Sequence, residues 1–206
     1  YHCYKAKDGV NVFLDDYAYL AQLMINFYET TGEINYLDDA KKIVQQTWDL
    51  FYDKENKILQ KNPIKQNDLF VPPLDINDSN IPNGNSVFLL NCKKLEAITN
   101  DTKWQGMAKE LIQSFHSFLN LKSTQMVSYI KNLDMCEELT TFTFFGDIKK
   151  IKELQQFVKK NYLKSSTLIY KEDPKENYLV VCKNQTCSNK IKSIEELKSV
   201  VKNYAI

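Results

Sequence analysis

An internal repeat in the first half of the chain constrains its fold more than any other sequence feature. Residues 29–41 and 96–109 share a helix end, a cap and a returning helix begun by an aromatic residue. The cap is Thr-Gly in the first copy and Thr-Asn in the second, and both Gly and Asn suit a left-handed helix C-terminus. The aromatic residues, Tyr36 and Trp104, are 68 residues apart. Each copy is therefore predicted to be a helical hairpin followed by a long loop, the unit of an α/α toroid or solenoid.

Hydrophobic spacing predicts five helices in this part of the chain. They cover about residues 15–30, 36–51, 87–99, 102–119 and 124–138. The polar stretch from Lys61 to Asn83 holds four of the five prolines and is too long for a passive connection.

The pattern changes after the fifth helix. Residues 140–145, 166–171 and 178–182 have the composition of strands, and residues 148–163 have the period of a helix. A capping box, Ser193 to Glu196, opens a last helix. We therefore predict a mainly α protein with helical hairpins over 1–138 and a small α/β unit of βαββα order over 139–206.

Two adjacent carboxylates, Asp15 and Asp16, stand where the first helix begins. They can serve the helix start, with Asp15 as the N-cap and Leu14 packing near Tyr19. They can also form a functional site, because Asp16 leads the apolar stripe Leu20, Leu23 and Phe27, and a carboxylate beside an apolar surface must be hydrogen-bonded, neutralised or put to use.

The repeat brings a second polar cluster to the same end. A shift by its period places residues 14–16 near residues 81–83, so both clusters are predicted at the starts of equivalent helices. Asn85 and Ser86 follow at once, and both residue types are helix caps as often as ligands. A pocket is predicted at this end.

Composition excludes some functions and locations. The net charge is +1 and all 27 basic residues are lysine, so neither nucleic acid nor membrane is the expected partner. No signal peptide or membrane-spanning run is visible, which favours a cytoplasmic protein. The chain begins with Tyr1 rather than Met, which suggests a part of something longer.

Five scattered cysteines do not form a disulfide framework. Cys182 and Cys187 are compatible with a redox pair or half a metal site, but the four residues between them are not the redox Cys-x-x-Cys spacing. His2 and His116 are not expected to be ligands, and no metal or other cofactor is predicted.

Four motifs carry a resemblance to a known family: Phe-Leu-Asp-Asp-Tyr-Ala-Tyr-Leu at 13–20, Tyr-Glu-Thr-Thr-Gly at 28–32, Ile-Pro-Asn-Gly-Asn-Ser-Val at 81–87 and Cys-Lys-Asn-Gln-Thr-Cys at 182–187. With these the chain resembles the C-terminal part of the spermatogenesis-associated, YyaL-type thioredoxin-domain-containing proteins. The resemblance implies a thioredoxin-like domain ahead of an (α/α)6 toroid similar to six-hairpin sugar-processing enzymes. Four helices are two of six hairpins, so residues 1–138 would be an incomplete toroid.

This resemblance suggests a carbohydrate pocket with hydrolase-like or epimerase-like acid/base chemistry. Asp16 would be the acid or base, and Asp15 its partner or a ligand for a sugar hydroxyl. The second carboxylate would be Asp75 or Asp78 in the loop, or one in the missing N-terminal part. The remaining predicted substrate contacts are Tyr17, Tyr19, Asn85 and Ser86. The alternative is a non-catalytic helical scaffold serving a thioredoxin-like domain. In either case the missing N-terminal part or a second copy of the chain would cover the open flank.

Overall fold

The computed structural model describes residues 12–64, 76–162, 166–184 and 186–203. These residues divide into two compact units. Unit 1 comprises Glu33–Asp134 and the described residues up to Tyr28, and unit 2 comprises Glu29–Gly32 and the described residues from Met135 onward. The boundary predicted from the sequence lies between residues 138 and 139.

Unit 1 is built from helices and one short hairpin. The helices are α1 (Leu14–Thr31), α2 (Ile34–Phe51), α3 (Gly84–Thr99), α4 (Thr102–Lys122) and α5 (Val127–Glu137). Strands β1 (Tyr52–Asp53) and β2 (Ile58–Leu59) pair antiparallel after α2. The predicted fifth helix starts as a 3-10 turn at Ser123–Gln125 and becomes α-helical only at Val127. Most of the predicted proline-rich loop, residues 65–75, lies outside the described residues.

The two helix-to-helix turns confirm the repeat. Gly32 and Asn100 both have positive φ, 78° and 57°. The amide of Tyr36 donates to Glu33 O and the amide of Trp104 donates to Asp101 O, each at 3.3 Å. Each of these positions is 68 residues from its counterpart, so the two hairpins turn in the same way.

Helix α3 lies in the interior of unit 1. All its residues from Gly84 to Cys92 are buried, as are Lys94 and Leu95. Helix α1 contributes a buried stripe at helical spacing, made of Leu14, Ala18, Ala21, Ile25 and Tyr28. Leu20, Leu23 and Phe27 on another face of α1 are more than 40% exposed. The apolar stripe that Asp16 leads is therefore not the core face of this helix.

Unit 2 is a small four-stranded sheet with two helices. Its elements are β3 (Thr140–Phe145), α6 (Lys152–Tyr162), β4 (Ser166–Lys171), β5 (Tyr178–Lys183), β6 (Thr186–Cys187) and α7 (Ile194–Asn203), with a 3-10 turn at Ile148–Ile151. The strand order is β4-β3-β5-β6, with β3 and β4 parallel and the other pairs antiparallel. The parallel pair requires a crossover, which α6 supplies. The predicted βαββα order is confirmed, with β6 added.

Unit 2 contains a buried carboxylate and a capped helix start. Glu29 is 1% exposed and accepts hydrogen bonds from Thr167 Oγ1 at 2.9 Å and from the Leu168 amide at 3.2 Å. Ser193 is the predicted cap of α7, and its Oγ accepts from the Glu196 amide at 3.2 Å. The Glu196 carboxylate accepts from the Lys192 amide rather than that of Ser193, one residue earlier than in a regular capping box.

Cys182 and Cys187 form a disulfide between β5 and β6. With the two sulfurs bonded to each other, neither is a thiolate that could bind a metal ion, and the redox role stays a prediction. The fold as a whole is mainly α-helical with a small strand-containing unit. None of the described helices is both long enough and apolar enough to span a membrane.

Candidate functional site

Helices α1 and α3 begin side by side. A Cβ on Gly84, the first residue of α3, would lie 2.6 Å from Asp15 Oδ1 and 2.7 Å from Leu14 Cγ. The hydroxyl of Tyr19 donates to Pro82 O at 2.9 Å. These contacts confirm that the two polar clusters meet at one end, as the repeat predicts.

Helix α5 begins at the same end. Asp78 Oδ2 accepts from the Ser128 amide, in the first turn of α5, at 2.7 Å. One turn further, Asn132 Nδ2 donates to both the carbonyl and the hydroxyl of Ser86 at 3.0 Å. Three helix starts therefore share this end of unit 1, and we call it the α1/α3/α5 end. Asp78 and Ser86 link α5 to α3.

Asp16 serves the start of α1. Its Oδ2 accepts from the Phe13 amide at 3.1 Å, and its own amide donates to Phe13 O at 3.2 Å. Phe13 is therefore the N-cap and Asp16 the third helical residue, which is the carboxylate half of a capping box. The helix starts at Leu14, so Asp15 lies inside its first turn and the interpretation of Asp15 as N-cap is wrong. The sequence hides this because Phe13 has no capping side chain.

Asp15 and Tyr19 are half-buried beside the α3 start. Burial in the first place, and then the carboxylates of Asp15 and Asp78, raise the pKa of the Tyr19 hydroxyl. Both carboxylates therefore lie near this phenol, which stays protonated and donates to Pro82 O. Tyr17 points elsewhere, since its ring meets Phe51 edge-on at a centroid distance of 5.6 Å.

Asp78 is held by four hydrogen bonds from the starts of two helices. Its Oδ1 accepts from the amide and the Nδ2 of Asn83, both at 3.0 Å, and from the Ser128 hydroxyl, while its Oδ2 accepts from the Ser128 amide. Burial by itself would raise the pKa of Asp78, but the hydrogen bonds from Ser128 and Asn83 outweigh it and lower that pKa. The carboxylate predicted as a second catalytic group therefore links the starts of α3 and α5 through hydrogen bonds.

The amide and hydroxyl predicted to bind substrate also contact the protein. Asn85 is fully buried; its Oδ1 accepts from the Leu59 amide at 3.0 Å and its Nδ2 donates to Leu59 O at 2.8 Å. Ser86 is fully buried too, with its Oγ bonded to Asn132. The cap of α3 is Asn83, whose side chain accepts from the Ser86 amide at 2.9 Å. The side-chain atoms of Asn85 and Ser86 that were predicted to bind substrate are thus hydrogen-bonded within the protein.

Sequence reasoning missed three polar residues of this end: Asn91, Ser128 and Asn132. Asn91 Nδ2 donates to Ala18 O at 2.8 Å, which ties α3 to α1, and its buried Oδ1 has no hydrogen-bond partner within the described part of the chain. The available signal was an Asn inside a nearly continuous apolar run, because a buried amide needs partners.

A cleft of about 720 Å³ in unit 2, between residues 149–156 and 192–195, contains none of the predicted site residues. Across residues 12–64, 76–162, 166–184 and 186–203, no group of three or more His, Cys, Asp or Glu side chains is placed to hold a metal ion.

No protein-family model matches the chain, and no curated protein matches it. The resemblance drawn from the four motifs therefore stays a prediction.

Proposed function

We propose that unit 1 is a non-catalytic helical-hairpin scaffold, in which the polar side chains of the α1/α3/α5 end hold helix starts together. The observation that carries this proposal is the carboxylate of Asp78, which receives hydrogen bonds from Asn83 at the start of α3 and from Ser128 at the start of α5. A carboxylate that accepts four hydrogen bonds from within the protein serves to hold those two helix starts together.

The contacts of the other predicted site residues support the same function. Asp16 caps α1, Asn85 holds both backbone groups of Leu59, and Ser86 is bonded to Asn132. General acid/base catalysis at a glycosidic bond needs two carboxyl groups that face one substrate, about 5–10 Å apart. Asp15 and Asp16 are adjacent on a helix and diverge, and Asp78 is engaged by Asn83 and Ser128.

A carbohydrate-binding rim is the second candidate function, and Asp15 and Tyr19 favour it. Both are half-buried, and the Tyr19 phenol lies close to carboxylates. A phenol ring with neighbouring carboxylates offers an apolar face and hydrogen-bond acceptors. These match the C–H face and the hydroxyl groups of a sugar. In a toroid of the kind that the family resemblance implies, this end would border the central pocket.

A sugar-binding screen on the full chain separates the two functions. Neutral mono- and oligosaccharides would be tested for a rise in Tm, since a ligand that binds the folded state stabilises it. The scaffold proposal expects no rise with any sugar. It also expects Asp16→Asn to lose about 0.5–1 kcal/mol of unfolding free energy through its weakened cap.

The outcome that would overturn the scaffold proposal is a sugar-dependent rise in Tm that Asp15→Asn and Tyr19→Phe abolish. Tyr36→Phe is the matched control, because Tyr36 lies at the helix-to-helix turn and faces the ring of Phe27. A rise that survives in Tyr36→Phe alone would establish the rim as a carbohydrate site.

A further inference from the structure

The disulfide of unit 2 lies at the edge of the sheet. Cys182 in β5 and Cys187 in β6 are register partners with a Cα–Cα distance of 4.1 Å. Strand β6 has only two residues and is the outermost strand of the order β4-β3-β5-β6. No strand within the described part of the chain covers its outer side.

The two cysteines differ in access to solvent. Cys187 is exposed, as is its neighbour Thr186, whereas Cys182 is half-buried in β5. Thiol–disulfide exchange requires a thiolate to reach one sulfur while the other leaves, so access selects the sulfur that is attacked. Because Cys187 is the more exposed residue, its Sγ is the expected target and Sγ of Cys182 the expected leaving sulfur.

The edge segment, residues 186–191, is attached to β5 by contacts that do not depend on the disulfide. The Ser188 amide donates to Val181 O at 2.8 Å, and the Val181 amide donates to Ser188 Oγ at 3.1 Å. Ile191 and Leu179 exchange two backbone hydrogen bonds of 2.9 Å, and Ile191 is 2% exposed in the core of unit 2. None of these attachments involves either sulfur, so they can keep the edge segment on β5 after the disulfide opens and the two cysteines close enough to pair again.

We propose that Cys182–Cys187 is a thiol–disulfide exchange site for an external dithiol, with Cys187 as the attacked residue. The thiolate of the dithiol bonds to Cys187 Sγ, the Sγ–Sγ bond breaks, and Cys182 leaves as a thiolate that takes up a proton. The second thiol of the reagent then displaces Cys187 and closes its own disulfide. Two electrons and two protons pass to the cysteine pair, which is reduced while the dithiol is oxidised. The proposal is independent of the function of unit 1.

Glutathione, a monothiol, tests the site because it has no second thiol of its own to close a disulfide, so that its mixed disulfide with the protein can be trapped by acid. The test uses the full chain with Cys3→Ser, Cys92→Ala and Cys136→Ser, which leaves only the proposed pair. The oxidised protein is incubated with reduced glutathione, quenched in acid and mapped by peptide mass spectrometry. We expect glutathione on Cys187 in roughly tenfold excess over Cys182, because access favours Cys187. Circular dichroism should show that the sheet persists.

Two results would overturn the proposal. One is a pair that stays reduced after treatment with oxidised glutathione, which would mean that the bond does not form. The other is a chain that remains folded but shows no adduct, or equal adducts on both cysteines. If the triple variant fails to fold, the wild-type chain is mapped instead, since the peptides that contain Cys182 and Cys187 are distinct from those of the other three cysteines after cleavage at lysine.

Discussion

A single buried amide, Asn85, holds β2 against α3. It satisfies both backbone groups of Leu59, so its removal leaves an N–H and a C=O unpaired inside the protein. We expect Asn85→Ala to lower the free energy of unfolding by about 2–4 kcal/mol in urea denaturation. Asn35→Ala, on the exposed face of α2, is the matched control and should change it by less than about 0.5 kcal/mol. A small effect at Asn85 would contradict its structural role.

Asp78 should make the stability of the chain depend on acid pH. Its folded-state pKa is lowered, so its contribution is fully present above the unfolded pKa, about 3.9, and is lost as the pH falls through the lower folded value. We expect Asp78→Asn to flatten the loss of stability below about pH 4, as measured by urea midpoints at a series of pH values. Asp39→Asn, an exposed carboxylate paired with Lys42, is the control. Parallel curves for wild type and Asp78→Asn would rule out this linkage.

At the level of elements, the close approach of α1 and α3 depends on a residue without a side chain. A Cβ at Gly84 would lie less than 3 Å from side-chain atoms of Asp15 and Leu14, so Gly84→Ala forces these side chains or the helix starts to shift. We expect a loss of about 1–3 kcal/mol in unfolding free energy. In α4, a Cβ at Gly106 meets nothing within 4 Å, so Gly106→Ala should gain about 0.5–1 kcal/mol from helix propensity alone. A loss of stability in Gly84→Ala together with a gain in Gly106→Ala, measured by thermal unfolding, would establish the close approach of α1 and α3. A gain in both variants would refute it.

Elements with strong local signals could be predicted from the sequence. Strand β3 follows from the β-rich run that ends at Gly146, and both hairpin turns follow from residues that tolerate positive φ. The start of α1 was misplaced because its N-cap, Phe13, has no capping side chain, and the cap comes from Asp16 instead. The single predicted helix over 148–163 divides at Ile151, because Asp147 caps a 3-10 turn there.

The site could be predicted in position but not in contacts. The repeat correctly placed the polar clusters together, because equivalent helices of an array start at the same end. The partners of Asn85 and Ser86 lie in β2 and α5, 26 and 46 residues away in sequence. No local pattern reports such long-range hydrogen bonds, so a buried structural amide and a ligand-binding amide look alike in sequence.

At the scale of the whole molecule, α1 has an apolar flank, Leu20, Leu23 and Phe27, that the described part of the chain leaves partly exposed. Leu20, Leu23 and Phe27 follow one another at helical spacing on α1 and are 45%, 43% and 41% exposed. At the other end of the order α1, α3, α5, two residues of α5 are exposed: Val127 and Ile130. Helix α3 is hydrogen-bonded to both α1 and α5, so α1 and α5 are the outer helices of this order. Exposed apolar residues on both outer helices allow α5 of one copy to cover the flank of another.

We propose that a second copy of the chain covers this flank in solution, through α1 of one copy and α5 of the other. Light scattering at high micromolar concentration should then give a mass above 24.1 kDa. Leu23→Glu with Phe27→Glu should return the mass to that of the monomer, because an interface cannot bury these charges without partners. Leu50→Glu, at an exposed leucine near the end of α2, should leave the larger mass unchanged. A compact monomer for the wild type would end the proposal, since the stripe would then be stable in water without a partner.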